Sequence, residues 1–184
     1  MNTLRRFIEI IIAFVGMIIG FPLMILLSLG VLLSMGQPIL FRQNRVGLHG
    51  ESFELIKFRT MTDAKDDNGN LLSDTERTTP LGRFLRRSRL DELPELWNIF
   101  WGKMSFVGPR PLLSSSPITQ GEQGKKRSSV RPGLTGWAQV NGNTLLSDDE
   151  KLALDLWYVE NASFGLDAKI ILRTIDVVIR GERK

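Results

Sequence analysis

Cysteine is absent from this 184-residue chain, and histidine occurs once, as His49. The lack of cysteine excludes a disulfide framework, a cysteine nucleophile and a thiolate-bound metal. A single histidine excludes a multi-histidine metal site and most catalytic triads. His49 stands next to Gly50 in a glycine-bearing stretch, which indicates an exposed loop residue and not a catalyst. Acid–base or nucleophilic chemistry is therefore left to carboxylates, lysines and hydroxyls.

Glycine-rich loops of the Walker or GxGxxG type are also missing, so nucleotide binding by such loops is unsupported. The net charge is only +4, from 24 Lys plus Arg against 20 Asp plus Glu, but the arginines cluster. A basic surface can serve anionic lipid, a phosphorylated substrate or nucleic acid. The modest charge, the single tyrosine and the lack of a recognised binding motif argue against nucleic acid.

Charged side chains are absent from Ile10 to Phe41, a run too long for an ordinary signal peptide. A crossing helix needs about 20 apolar residues, and Pro22 divides the run into two halves that are each too short. A re-entrant helix bent at Pro22 would also leave both basic ends on the cytoplasmic side. We favour that arrangement, and a kinked crossing helix is the alternative. The flanking arginines are Arg5, Arg6, Arg42 and Arg45.

Hydrophobic periodicity predicts several helices and one strand, and the fold class we predict for the chain is α+β and mostly helical, with an N-terminal re-entrant membrane helix, amphipathic interfacial helices and a small β-hairpin around one compact domain. Ser52–Met61 alternates apolar and polar residues and is predicted to be a strand, while Gln37–Arg45 and Thr62–Thr79 are expected to be loops. The first predicted helix is basic and amphipathic, as suits a membrane surface. The predicted helices are Leu81–Leu90, Asp91–Phe100, Asp148–Glu160 and Leu166–Arg180.

Asp91 and Glu92 are adjacent carboxylates that follow a run of arginines at a predicted helix start. One interpretation is a helix cap with first-turn acid, stabilised by the helix dipole. The other is a nucleophile or metal ligand, kept ionised by neighbouring cations at a helix start that can receive phosphate. The local sequence alone favours the cap.

Several cations near this pair are candidate phosphate ligands. Lys57 and Arg59 alternate with apolar residues, so both can project from one face of an extended segment. Arg110 is held between two prolines, and a rigidly mounted guanidinium suits bidentate phosphate contact. Arg87, in the basic predicted helix, belongs to the same set. Solvated strand faces and surface salt bridges are the alternatives for these residues.

Taken in order, these segments resemble the small monotopic phosphoglycosyl transferases, the bacterial sugar transferase family. No single motif is decisive, but their order and spacing together are highly specific and cover nearly the whole chain. The matching runs are Phe41–Gly47 (FRQNRVG), Lys57–Met61 (KFRTM), Leu81–Phe100 with its LDELPELWN core, Met104–Pro111 (MSFVGPRP), Val130–Gly142 (VRPGLTGWAQVNG) and Leu154–Ser163 (LDLWYVENAS).

The resemblance implies transfer of a phosphosugar from a UDP-sugar to undecaprenyl phosphate, with release of UMP. It implies that Asp91 is the nucleophile of a covalent phosphosugar intermediate, and that Glu92 assists in metal binding or proton handling. It also implies a requirement for Mg²⁺, held by this pair. Asp155 and Asp167, which look structural by themselves, match family active-site positions together with Lys57 and Arg110.

The resemblance further implies a re-entrant helix over residues 1–36 and a cytoplasmic, membrane-interface catalytic domain over 37–184, at the bacterial inner membrane. A homodimer is one option for the assembly.

Three positions depart from the family pattern: Asn143 replaces a usual arginine, Lys103 an acidic residue, and Phe21 the serine before the membrane proline. Asn143 puts one substrate contact in doubt. A non-enzymatic membrane-surface protein that binds anionic lipid through the arginine-rich helix is the alternative function.

Overall fold

The structure, a computed structural model, describes residues 3–181. It is mostly helical, with a small amount of sheet and a long apolar N-terminal helix, which confirms the predicted class at that level. The helices are α1 (Thr3–Met35), α2 (Asp74–Arg77), α3 (Pro80–Ser88), α4 (Glu95–Phe100), α5 (Gly121–Arg127), α6 (Trp137–Val140), α7 (Asp148–Asn161) and α8 (Phe164–Arg180). The strands are β1 (Leu40–Val46), β2 (Ser52–Phe58), β3 (Ser105–Val107) and β4 (Gly133–Thr135).

Helix α1 is continuous through Pro22 and contains 33 residues. At a rise of about 1.5 Å per residue, such a helix is about 50 Å long. It is long and apolar enough to cross a membrane by length and composition. Most of its apolar side chains are exposed. The bend at Pro22 stays a prediction.

Both halves of α1 pack on the folded chain that follows. In the N-terminal half, Ala13 is fully buried in a cluster with Ile99 and Met104. In the C-terminal half, Val31 is fully buried in a second cluster with Leu85. One stripe of the helix therefore lies along the domain from end to end, and the opposite side is left exposed.

The predicted β-hairpin is present, although its first strand was expected to be a loop. Strand β1 pairs antiparallel with β2, from Leu40 opposite Phe58 to Val46 opposite Ser52. The expectation of a loop over Gln37–Arg45 is therefore wrong from Leu40 onward. The polar run Arg42–Arg45 gives no strong local strand signal, and pairing with β2 supplies the backbone hydrogen bonds that make it a strand.

A short parallel pair, β3 and β4, orients the proline-flanked loop that follows β3. Gly133 is required there, since a Cβ at this position would lie 2.1 Å from the backbone nitrogen of Gly108. This close approach of two backbones fixes where the chain leaves β3 toward Arg110. The sequence did not indicate this pair, because strands of three residues carry no measurable alternation.

The helix expected over Asp91–Phe100 is interrupted. Residues Leu90–Glu92 form a 3-10 turn, and α4 begins only at Glu95, after Pro94. Proline has no backbone N–H and restricts the residue before it, so the segment divides there. The helices expected at Asp148–Glu160 and Leu166–Arg180 are confirmed as α7 and α8 with small shifts of their ends.

Candidate active site

A polar cavity of about 590 Å³ lies between the β-hairpin, α3 and the loop after β3. Its ionisable lining is mainly cationic, a composition that suits a phosphorylated ligand. The cations are Arg45, Lys57, Arg59, Arg77, Arg86, Arg89 and Arg110, and the acids are Asp63, Asp91 and Glu92.

Asp91 and Glu92 lie together in the 3-10 turn that follows α3. Arg89 ends α3 in the left-handed conformation, with φ 59°, and this reversal turns the next residues toward the cavity. Asp91 is 9% exposed and Glu92 8%. The N-cap position of α4 is Pro94, not Asp91, so the helix-cap interpretation is wrong. Two buried carboxylates in the wall of a cationic cavity need a different explanation.

Glu92 is surrounded by positive charge. Its Oε1 lies 2.9 Å from Lys57 Nζ and 3.4 Å from a terminal nitrogen of Arg110. A terminal nitrogen of Arg89 lies 3.6 Å from the same oxygen. Burial raises the pKa of Glu92, but the charges of Lys57 and Arg110 outweigh burial and leave that pKa below its ordinary value. Glu92 is therefore held ionised, as a fixed negative charge.

Asp91 experiences the opposite balance. Burial raises its pKa, and the adjacent charge of Glu92 raises it further. Lys57 opposes these effects without overcoming them. The pKa of Asp91 is thus raised and that of Glu92 is lowered, although the two residues are adjacent. Such a difference between neighbouring carboxylates is typical of functional sites.

Glu95 is a third buried carboxylate at this site, and the sequence reasoning missed it. Its Oε1 lies 3.0 Å from Lys57 Nζ, and Glu95 itself is not part of the cavity lining. Among the described residues this oxygen has no hydrogen-bond partner of suitable geometry, and its ion pair with Lys57 is the main contact that opposes the effect of burial. Burial, opposed by Lys57 and supported by Glu92, raises the pKa of Glu95 to about 7. No local sequence signal marks Glu95, because its burial and its contact with Lys57 depend on tertiary packing.

Arg110 is positioned from behind by a buried ion pair. Arg127 Nε donates a 2.8 Å hydrogen bond to Asp155 Oδ2, and both side chains are 5% exposed. A terminal nitrogen of the same Arg127 donates to the backbone carbonyl of Arg110 at 2.6 Å. Asp155 therefore supports the Arg110 loop from α7 and does not line the cavity.

The other predicted site residues are placed differently from one another. Arg59 lines the cavity, but its guanidinium donates to the carbonyls of Met61 and Gln37 at 2.9 Å and pairs with Asp63 at 2.6 Å. Arg87 is exposed and lies in a separate concavity with the C-terminal end of α8. Asp167 lies outside the cavity.

Asp167 belongs to an ionic cluster at the N-terminal end of α1. It accepts a 2.8 Å hydrogen bond from the Tyr158 hydroxyl and pairs with Arg5 at 3.0 Å. Glu9 pairs with Arg5 at 3.4 Å and accepts a hydrogen bond from the Ser105 hydroxyl. This cluster attaches α1 to the domain.

Further cavity residues were not predicted from their chemistry. Arg45, Arg77 and Arg86 face the cavity from β1, α2 and α3, three elements brought together only by tertiary packing. Burial and the charge of Arg110 lower the pKa of Arg45. Asn143, the departure from the family pattern, lines the cavity in the left-handed conformation, with φ 44°.

A cation site built from protein side chains alone does not occur in the described part of the chain, because no cluster of three or more His, Cys, Asp or Glu could hold one there. Mg²⁺ commonly binds through one or two carboxylates and completes its shell with water and substrate phosphates. Asp91 and Glu92 provide two adjacent carboxylates at a cavity that suits phosphates. The residues present therefore fit a magnesium ion shared with a phosphorylated substrate.

Comparison with known proteins identifies related sequences along the chain. A sequence model of the family described as "Bacterial sugar transferase" matches residues 1–181. The uncharacterized sugar transferase EpsL of Bacillus subtilis is 49% identical over 82% of this chain and 74% of its own length. The UDP-glucose:undecaprenyl-phosphate glucose-1-phosphate transferase of Xanthomonas campestris is 40% identical over 94% of this chain. The UDP-N-acetylgalactosamine-undecaprenyl-phosphate N-acetylgalactosaminephosphotransferase of Aeromonas hydrophila is 33% identical over 97% of this chain. The match spans only 37% and 44% of these last two proteins.

Proposed function

The chain belongs to the bacterial sugar transferase family, and we propose that it transfers a phosphosugar from a UDP-sugar to undecaprenyl phosphate and releases UMP. The observation that carries the proposal is the buried Asp91–Glu92 pair in the wall of a cavity whose ionisable lining is mainly arginine and lysine. The activities named for the Xanthomonas and Aeromonas relatives support the substrate classes. Because those two names specify different sugars, the donor sugar is left to a screen.

In the first step, an oxygen of the Asp91 carboxylate attacks the sugar-linked phosphorus of the UDP-sugar. The new bond joins that oxygen to phosphorus, the bridging P–O bond of the diphosphate breaks, and UMP leaves with the electron pair. Arg110 and the other cavity cations would hold the diphosphate and stabilise the charge that develops on its oxygens. Asp91 must be ionised to attack, so its raised pKa predicts loss of rate as the pH falls through that pKa.

In the second step, a phosphate oxygen of undecaprenyl phosphate attacks the same phosphorus. The bond to Asp91 breaks, which restores the free carboxylate and yields undecaprenyl diphosphate bearing the sugar. A covalent carrier divides the transfer into two displacements, so the soluble donor and the lipid acceptor need not be bound together.

Glu92 and Mg²⁺ complete the proposal. Glu92 is held ionised by Lys57, Arg110 and Arg89, which makes it a fixed acceptor and not a proton donor. Asp91 and Glu92 would hold the magnesium ion together with the donor's phosphates. When bound, the ion would offset the negative charge that otherwise separates a carboxylate from a diphosphate.

The proposed position of the protein at the membrane rests on α1. Its exposed apolar side and its packed stripe support a monotopic arrangement, with α1 re-entrant and the domain at the cytoplasmic face of a bacterial inner membrane. Arginines flank both ends of the apolar run, and such residues favour the cytoplasmic side. A site at headgroup depth would be open to a UDP-sugar from the water and to a polyprenyl phosphate from the bilayer.

The central test replaces the nucleophile. Purified protein in detergent would be incubated with Mg²⁺, undecaprenyl phosphate and a panel of labelled UDP-sugars, and UMP release, labelled lipid and labelled protein would be measured. Asp91→Asn removes the attacking oxyanion with almost no change in shape, and we expect turnover to fall on the order of 10⁴-fold and the protein adduct to disappear.

Asp63→Asn is the matched control. It makes the same change on the lining of the same cavity, at a carboxylate that is 71% exposed. We expect it to keep most of the activity. Full turnover by Asp91→Asn would refute the nucleophile, whereas vesicle binding without UMP release from any donor would favour the alternative of a non-enzymatic lipid-surface protein.

A further inference from the structure

A second cavity, of about 540 Å³, adjoins the polar one at Glu92. It is formed by α1, α4, α8 and the segments around β3 and β4, and its lining is largely aliphatic. Representative lining residues are Ile12, Leu93, Leu96, Ile171, Ile175 and Val178. Ile12 on α1 and Ile175 on α8 are exposed, so the cavity is bordered by apolar residues that face outward.

The two cavities meet at charged residues. Arg89 and Glu92 line both of them. The apolar cavity therefore ends beside the turn that carries Asp91, and it brings an aliphatic passage to the wall of a phosphate-suited site. An amphiphile with an anionic head and a long apolar tail matches such a passage, because its tail loses contact with water while its head meets a guanidinium.

We propose that the apolar cavity binds the isoprene units next to the phosphate of the polyprenyl phosphate acceptor. The head lies at Arg89, and the donor diphosphate occupies the polar cavity. This inference rests on the proposed function for the identity of its ligand. Donor and acceptor then approach Asp91 from different sides, and the tail beyond the cavity continues past Ile12 and Ile175 into the bilayer.

Another apolar groove is a weaker fit for the acceptor. It has a volume of about 560 Å³ and is lined by residues of α1, the hairpin and α4, among them Ile25 and Trp97. Phe58 lines both this groove and the polar cavity, and it carries no charge. This groove does not include Arg89 or Glu92 in its lining, and the cation that does line it, Arg42, is paired with Glu54 at 2.9 Å. The groove therefore supplies a matched control.

The experiment fills each apolar space with an indole. Ile175→Trp and Ile171→Trp fill the proposed acceptor cavity, one helical turn apart on α8, and Ile25→Trp fills the other groove. Three quantities are measured on the full-length protein in detergent. They are the dependence of turnover on undecaprenyl phosphate, the exchange of labelled UMP into UDP-sugar without acceptor, and photocrosslinking of a benzophenone-tagged polyprenyl phosphate.

We expect the α8 variants to raise the KM for undecaprenyl phosphate by about tenfold and to lose crosslinking in proportion. UMP exchange and the KM for the UDP-sugar should change less than about twofold, because the polar cavity is untouched. Ile25→Trp should leave every quantity near the wild-type value.

Unchanged acceptor KM and crosslinking in both α8 variants would overturn the inference, and a selective effect of Ile25→Trp would move the acceptor to the other groove. A variant that loses UMP exchange as well is not selective for the acceptor, and its partner one turn away then decides; loss of exchange in both variants would overturn the inference. If wild-type protein shows no exchange and no turnover, the proposed function fails. Crosslinking to wild type and to the variants still tests the lipid cavity in that case.

Discussion

At the residue scale, the Lys57 ammonium lies between two carboxylates of unlike character. It is 2.9 Å from Glu92 Oε1 and 3.0 Å from Glu95 Oε1. One ammonium cannot neutralise both, and Glu92 receives Arg89 and Arg110 in addition. The poorly satisfied Glu95 accordingly has a pKa of about 7, while that of Glu92 is lowered. The unfavourable free energy of burying a second carboxylate beside Lys57 therefore appears at Glu95, as its raised pKa.

Glu95→Gln is expected to change how stability depends on pH. The folded wild-type protein keeps a proton on Glu95 that the unfolded chain releases near its ordinary pKa of 4.5, so its free energy of unfolding falls as the pH rises from there to about 7. Glutamine cannot ionise, so the stability of the variant relative to wild type should rise by on the order of 2–3 kcal/mol between about pH 5 and about pH 8. Denaturant unfolding in detergent at several pH values measures this.

Glu54→Gln is the control for that series. Glu54 lies on β2 in an ion pair with Arg42, and its side chain is 48% exposed. An exposed pair contributes about 0–1 kcal/mol, so this variant should follow wild type closely across the pH range. Parallel pH profiles for wild type and Glu95→Gln would show that Glu95 does not keep its proton in the fold.

At the residue scale, the sequence indicated which side chains meet where chemistry and motif coincide. Asp91, Glu92, Lys57 and Arg110 were predicted, and the structure brings them to one cavity; their chemical roles are still proposals. Partners that come from distant elements could not be foreseen. The pair of Arg127 with Asp155 joins α5 to α7, and no local pattern in either helix indicates it. Glu95 was missed because its environment, not its spacing, makes it unusual.

At the scale of elements, α3 approaches the chain after β2 by direct backbone contact. A Cβ at Gly82 would lie 1.9 Å from the carbonyl oxygen of Thr60, so only glycine fits. The same contact lets Arg86 Nε donate to the Thr60 hydroxyl at 2.9 Å. α3 leads directly into the Asp91 turn, and its distance from the hairpin therefore sets the width of the polar cavity.

Gly82→Ala is expected to destabilise the fold by about 3 kcal/mol, because the added methyl forces two backbones apart. Gly165→Ala in α8 is the control, since nothing lies within 4 Å of a Cβ there and alanine favours a helix by up to about 1 kcal/mol. Thermal unfolding and UMP release would be measured for both variants. A Gly82→Ala protein as stable as wild type would contradict the close contact between α3 and the Thr60 segment.

Helices and strands could be predicted from the sequence where their hydrophobic pattern is local. α7 and α8 have clear helical periodicity and were predicted nearly end to end. Strand β1 and the β3–β4 pair depend on partners elsewhere in the chain, so the sequence did not reveal them. The break between the 3-10 turn and α4 carried a signal in Pro94, which the periodicity of Asp91–Phe100 concealed.

At the scale of the whole molecule, the orientation of the domain relative to the bilayer depends on α1. Near its N-terminal end, Arg6 donates to the backbone carbonyls of Ile99, Phe100 and Met104. Near its C-terminal end, Val31 is fully buried in the domain. A helix that crossed the bilayer with the domain on one side would have to break one set of these contacts. Exposing a buried arginine or an apolar cluster to lipid or water costs several kcal/mol, which supports the proposal that both ends of α1 lie on the side of the domain.

The natural lack of cysteine makes this arrangement directly testable, since any introduced thiol is the only one in the chain. Thr3→Cys and Gln37→Cys mark the two ends of the apolar run at exposed positions, and Ile19→Cys marks its middle, where the side chain is 75% exposed. A membrane-impermeant maleimide added to intact cells should label none of them. In inverted membrane vesicles, which expose the cytoplasmic face, Thr3→Cys and Gln37→Cys should both react with the maleimide. Ile19→Cys should react only after detergent is added, because lipid covers it. Labelling of the two ends from opposite sides would establish a crossing helix and would require α1 to separate from part of the domain.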